Sequence, residues 1–219
     1  MTANPYKEAG KPTDSPIVLS ERRTQKQRKQ EAEAAIVRAA VGIVAEKGLS
    51  GLTLAAAGEA AGYSRGIVSH HFGKKDDLFI AIVNHITKSF SQDLSVDARI
   101  PPGLPMIKQV VVRYLDAVAD NSIYARALQL ILTEAVNNPL LKPALEKINQ
   151  RSAKGLANHI RHGIEDGSIR PEVDADSQAI ILLATLRGIM GQRLVSDNQI
   201  NIPVVREQLL KNIEQALQN

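Results

Sequence analysis

Cysteine and tryptophan are both absent from the 219-residue sequence. Without thiols there can be no disulfide framework, no thiolate metal site and no cysteine nucleophile. No apolar run approaches the roughly 18 residues that cross a bilayer. The first twenty residues are polar and hold Pro5, Pro12 and Pro16, unlike the charged-then-apolar order of a signal peptide. These absences predict a cytoplasmic protein with no membrane partner. The sequence also lacks a His-Asp-Ser order, an HExxH motif, a glycine-rich phosphate loop and an inward-facing carboxylate pair, so it predicts no enzyme and no cofactor.

What is present is an apolar fraction of 44%, enough to build real cores, with a net charge of +4. The charge is unevenly spread. Residues 1–75 hold 12 Lys and Arg against 7 Asp and Glu, or +5, whereas residues 76–219 hold 15 against 16, or −1. A basic first third joined to a near-neutral remainder points to a polyanion partner for one module, with nucleic acid leading, and to a different task for the other.

Aromatic residues make up only 3% of the chain, and no stretch alternates apolar and polar residues long enough for a sheet. With abundant Ala, Leu, Ile and Gln, the sequence reads as all-α. Residues 1–19 show no helical periodicity and are expected to form a flexible tail. A long first helix is expected from Ser20, with Ala35, Ile36, Ala39, Ala40, Ile43 and Val44 at three- and four-residue spacing and Gly48 as its stop. Segments at 53–60, 64–71 and 75–95 follow. After the proline-rich break from Arg99 to Pro105, longer helices are expected near 105–120, 122–137, 139–166, 174–195 and 203–217. The expected division is a helix-turn-helix domain over 20–80 and a larger helical domain over 81–219.

The segment Leu52 to Leu78, LTLAAAGEAAGYSRGIVSHHFGKKDDL, carries the chemistry. Thr53 can cap a short helix, whose free amides suit a phosphate oxygen. Ala61-Gly62-Tyr63 supplies the tight turn, with Gly62 free to take positive φ. Ser64 can cap a second helix from Arg65 to His71, with its first residues facing outward and Ile67, Val68 and Phe72 inward. That is the layout of a DNA recognition helix.

This segment resembles the DNA-binding domain of the TetR family of repressors. The landmarks are a first helix ending at Gly48, Thr53-Leu54, Ala61-Gly62, Ser64-x-Gly66, His71-Phe72 and Lys75-Asp76-x-Leu78. Two departures stand out: Ala57-Gly58 replaces a bulky aliphatic residue and Ala, and is expected to loosen the helix packing slightly, while Ser69 replaces a common Tyr. The run Ser69-His70-His71-Phe72 resembles the choline-responsive branch, although four residues do not assign a ligand. The resemblance implies that Thr53, Ser64 and Lys75 hold phosphates and that Arg65, Gly66, Ser69 and His70 lie along the major groove of double-stranded operator DNA. Arg65 is expected to read guanine or to grip the backbone. Adjacent histidines diverge by about 100° on a helix, so His70 and His71 cannot chelate one metal, and one of them is expected to pack or to bond phosphate. Arg22, Arg23, Lys26, Arg28 and Lys29 form either a DNA-contacting arm or the solvated start of a helix.

For the C-terminal domain the resemblance implies a homodimer built on the last two helices and an enclosed small-molecule inducer. Ala184, Gly188 and Gly191, with Val205, Leu209, Ile213 and Leu217, could form the dimer seam or fill the protomer's own core. Polar candidates for a pocket are Tyr114, Tyr124, Arg126, Gln129, Thr133, Glu134, Asn158, Arg187 and Gln192. His159 and His162, with Glu165 or Asp166, form a ladder that could hold a divalent metal; a solvated polar face is the reading adopted, so no metal is expected. The function expected is a repressor released from operator DNA when an inducer moves the two recognition helices off the groove spacing of about 34 Å. The alternatives are an activator or regulator without an inducer, and a metal sensor.

Overall fold

The computed structural model describes residues 24–94, 100–196 and 199–218, and every regular element among them is helical. In chain order these are α1 (Gln25–Lys47), α2 (Leu54–Ala61), α3 (Arg65–Phe72), α4 (Lys75–Leu94), α5 (Leu104–Ala119), α6 (Ile123–Glu134), α7 (Lys142–Glu165), α8 (Ala175–Val195) and α9 (Ile202–Leu217). The expected tail and Arg22 and Arg23 lie outside the described residues. The first helix starts later than Ser20 because Thr24 is extended and caps it. The Thr24 hydroxyl accepts from the Gln27 amide at 3.2 Å, and the Gln27 side chain accepts from the Thr24 amide at 2.7 Å. This reciprocal box satisfies two of the amides that a helix start leaves without partners.

Two cores organise the chain. The first joins Ile36, Val41 and Val44 of α1 with Ala57 of α2, Val68 of α3, and Leu78 and Ile82 of α4. It also takes in Leu128 and Ile131 of α6 and Leu145 and Ile148 of α7. The second joins Ile107, Val111 and Leu115 of α5 with Ile160 of α7, Leu182 and Leu186 of α8, and Ile213 and Leu217 of α9. The expected division at residue 80 therefore falls inside the continuous α4, and the core of the N-terminal head, formed by α1 to α4, extends into α6 and α7.

Helix α9 packs on α5, and Lys108–Glu214 and Asp116–Arg206 ion pairs tie the two together. The stripe read as a dimer seam on α9 is used here instead. Ile213 is 2% exposed and Leu209 packs against the same core, so both belong to the protomer's own interior. Helix α8 behaves differently: Ala184 and Gly188 lie on an exposed face with Ile180, Ile181 and Val195.

Candidate DNA-binding face and sensor interior

Helices α2 and α3 meet at a bend set by glycine. Gly62 has φ 76° and ψ 23°, the left-handed region that a side chain resists, and its amide donates to the carbonyls of Glu59 and Gly58. Gly58 has the opposite effect from the loosening expected of it. A Cβ there would stand 2.7 Å from the Tyr63 carbonyl oxygen and 3.0 Å from Val68, so the missing side chain lets α2 and α3 approach closely.

Both short helices are capped as the sequence suggests. Thr53 accepts from the Ala56 amide at 3.0 Å and Ser64 from the Ile67 amide at 3.4 Å. Each hydroxyl keeps its own O–H as a donor. Around α3, Val68 is fully buried and Phe72 partly so, while Arg65, Gly66 and His70 are exposed and Ser69 is half-buried. Ile67 is not inward as expected, being 41% exposed. A turn of about 100° per residue carries it off the Val68 face, onto the flank beside Gly66 and His70. It adds an apolar group to the polar face, one that the sequence reading assigned to the core.

The two histidines divide their roles. His71 Nδ1 lies 3.2 Å from Glu33 Oε1 of α1, with the His71 side chain 9% exposed, so it docks the recognition helix onto the head. His70 remains outward. Lys75 is half-buried: its ammonium donates to the Leu49 carbonyl at 3.2 Å and stands 5.7 Å from the centre of the Phe79 ring. It thus holds the loop before α2 with one of its three N–H donors, while neighbouring Lys74 is exposed. Lys26, Arg28 and Lys29 are exposed on the first turns of α1, and Lys29 lies 3.9 Å from Glu33.

The candidate pocket residues differ in where they lie. Thr133, Glu134, Asn158 and Gln192 are exposed, and Asn158 accepts from Arg161 at 3.3 Å. Arg126 is not a pocket wall, because its Nε–H donates to the Ala45 carbonyl at 2.6 Å and joins α6 to the end of α1. Tyr114, Tyr124, Gln129 and Arg187 are half-buried. Burial pushes the Tyr114 phenol up to about 12, offset in part by nearby Arg187, so it stays a proton donor at neutral pH. Gln129 Oε1 is buried without a hydrogen-bond partner.

Sequence reasoning missed two further buried polar atoms without partners, His85 Nε2 on α4 and Asn149 Oδ1 on α7. The His85 ring lies 5.8 Å from that of Tyr124. Desolvation first, then the charges of Arg38 and Lys88, lowers the His85 pKa. The available signal was register: His85 follows Ile82 by three residues, and Asn149 follows Leu145 by four, on apolar faces.

On α7, His159 Nδ1 is buried without a partner, whereas exposed His162 turns to Glu165 at 3.3 Å. Among the described residues no three His, Asp or Glu side chains gather as a metal site. A concavity of about 610 Å³ is lined by Arg170, Val173, Ser177, Gln178, Ile181 and Ala216 among others, and none of the nine pocket candidates borders it. No described helix is long and apolar enough to cross a membrane.

The sequence pattern described as "Bacterial regulatory proteins, tetR family" matches residues 36–82, and that of "BetI-type transcriptional repressor, C-terminal" matches residues 105–218. The HTH-type transcriptional regulator CymR of Pseudomonas putida is 29% identical over 191 residues, spanning 87% of this chain and 93% of that one. The regulator BetI of Paraburkholderia phytofirmans is 30% identical over 120 residues, 54% of this chain and 61% of its own length. A TetR-family regulator from Rhodococcus sp. shares the fold at a TM-score of 0.78 and 21% identity, covering 86% of this chain and 99% of that one. A regulator from Saccharomonospora viridis in complex with choline does so at 0.71 and 20%, over 86% and 98%. With its capped α2–α3 pair at one end and a BetI-type helical half at the other, the chain belongs to the tetR family of bacterial regulatory proteins and is a DNA-binding transcriptional regulator, not an enzyme.

Proposed function

We propose that this regulator is a cytoplasmic homodimeric repressor that leaves its operator when a small molecule enters the C-terminal domain. The observation that carries this reading is the outward face of α3. Arg65, Gly66, Ile67 and His70 are exposed there, beside the exposed caps Thr53 and Ser64, while Val68 on the other side of the helix is buried in the core. Arg65 matches the O6 and N7 pair of guanine, and Ile67 suits a thymine methyl. Thr53, Ser64 and the lysines Lys74 and Lys75 anchor phosphates, and Lys26, Arg28 and Lys29 extend the basic surface.

The second protomer packs on the exposed face of α8. Small Ala184 and Gly188 let helices approach there, and Ile180, Ile181 and Val195 supply apolar area. On α9, Val204 is 60% exposed and open to a partner, whereas Leu209 and Ile213 pack in the protomer's own core.

Release follows from the position of α6. One side of it packs in the head's core through Leu128 and Ile131, and Arg126 reaches α1; Gln129 abuts α8 at Gly191. A ligand that favours one arrangement of α6 and α8 thereby biases the spacing of the two heads.

Footprinting and gel shift on the DNA upstream of the protein's own coding region and of neighbouring coding regions test the reading. Protected sites with two-fold symmetry are expected, and salt-insensitive or sequence-blind binding contradicts it. A regulator without an inducer is the second reading; the described concavity is bordered by none of the pocket candidates. It predicts that no small molecule changes both melting temperature and DNA affinity.

A further inference from the structure

Resting on the reading of the C-terminal domain as a small-molecule sensor, the side-chain chemistry of its interior says what charge the molecule carries. Arg187 is half-buried on α8, beside Tyr114 of α5. One turn along the same face of α8 is Gly191, where an added Cβ would stand 3.2 Å from Gln129 Nε2 of α6. Arg187 and Gly191 thus lie one turn apart on α8, the first beside Tyr114 of α5 and the second against Gln129 of α6, and Tyr114 packs in the same apolar core as Leu115, Leu183 and Leu186. A guanidinium withdrawn from water needs a counter-charge or a set of acceptors, and no ion pair or hydrogen bond to Arg187 is found among the described residues. Burial lowers its pKa, and nearby Tyr114 offsets that in part.

Among the described residues no carboxylate is left there to pair with a cation. Among the described side chains every Asp and Glu is exposed, except half-buried Glu33, Asp116 and Glu214. Those three are already paired with His71, Arg206 and Lys108.

We infer that the ligand is an organic anion, its acid group paired with Arg187 and hydrogen-bonded by the Tyr114 hydroxyl and the Gln129 amide, its apolar body lying in the aliphatic core between α5 and α8. A carboxylate suits the planar guanidinium fork, which binds it in two parallel hydrogen bonds. A quaternary ammonium would meet an unpaired like charge.

The test uses the full-length protein and three matched series: aliphatic and aromatic carboxylates, their primary amides, and trimethylammonium compounds of the same carbon skeletons. Carboxylates are expected to raise the melting temperature by about 2 °C or more and to weaken operator binding at least about tenfold. Amides and ammonium compounds are expected to do neither. Arg187→Met should lose the carboxylate response and, with no ligand added, melt higher than the wild type, because an uncompensated charge has left the interior. Arg187→Lys should keep part of the response. Amides or ammonium compounds acting where carboxylates fail would overturn the anionic assignment and leave the sensor reading standing. A lower melting temperature for Arg187→Met, or a weakened dimer, would make Arg187 a structural or interface group and overturn it too. If no compound of any charge shifts either readout, the sensor reading falls and takes this inference with it.

Discussion

Arg126 on α6 donates from Nε to the carbonyl of Ala45, 2.6 Å away in the last turn of α1. The last carbonyls of a helix have no partner within it and carry its negative dipole end, so a guanidinium there satisfies both needs. This bond makes the helix that abuts α8 also the helix that steadies the head. Arg126→Met should therefore lower stability by about 1 kcal/mol and speed amide exchange over residues 44–53. Unchanged exchange there would show that the bond does not hold the two parts together.

Gly66 and Ile67 should separate folding from reading. A Cβ at Gly66 meets nothing closer than Ser64 Oγ at 3.8 Å, so the fold does not require the glycine. Gly66→Ala is expected to stabilise α3 by roughly 0.5 to 1 kcal/mol while weakening operator binding, since the new methyl projects toward the groove. Ile67→Ala should leave the melting temperature almost unchanged and relax the preference for thymine at one position, by about 1 kcal/mol of discrimination. Operator titrations with single-base variants distinguish the two; a general loss for Ile67→Ala would count against a base contact.

Arg65 and Lys75 should behave differently again. Arg65 is exposed, so Arg65→Ala should spare stability and chiefly flatten sequence choice. Lys75 binds the Leu49 carbonyl, so Lys75→Ala should lower the melting temperature, weaken all DNA sequences alike and reduce the salt slope by about one. Identical binding profiles for the two variants would show that reader and anchor have been assigned wrongly.

The pH dependence has a definite sign. His85 and His159 both have folded pKa values below the free value, each chiefly because burial disfavours the charged ring. The unfolded chain therefore binds more protons below about pH 6.5, and stability should fall as pH drops from 7 toward 5 and level off beneath the folded values. Asp166, Asp174 and Glu207 are also depressed, through hydrogen bonds to Ser168, Ser177 and Lys211, and their loss comes only near and below pH 4. His85→Gln should flatten melting temperature against pH over 5 to 7. An unaltered curve would show that His85 keeps its proton affinity in the fold.

The head was legible in the sequence because its signals are local. Thr53, Ser64, Gly48 and Gly62 act within one turn of themselves, and the expected helices at 53–60 and 64–71 match α2 and α3 to within a residue. The Thr24-x-x-Gln27 box was equally local and gives the true start of α1, but the basic run beside it drew the reading back to Ser20. Ile67 was misplaced because an eight-residue helix has too few apolar positions to define its inward face.

The C-terminal half yielded its helices but not its partners. An apolar stripe on α9 is the same in sequence whether it meets α5 of its own protomer or a second chain, and Leu209 and Ile213 meet the former. Polar residues carry the same ambiguity: Arg126 and Arg187 look alike on paper, and only the fold turns one toward the Ala45 carbonyl and the other inward beside Tyr114. His85 and Asn149 sat at apolar register positions, a pattern visible in the sequence but weaker than the aliphatic residues around them.

If the outward face of α3 reads duplex DNA, quantitative binding of the purified protein to its upstream DNA across salt concentrations, with a scrambled duplex of equal length alongside, will show it. Affinity should fall steeply as salt rises, and Arg65→Ala should abolish the preference for the native site. Equal affinity for both duplexes, or a preference untouched by that substitution, would contradict it.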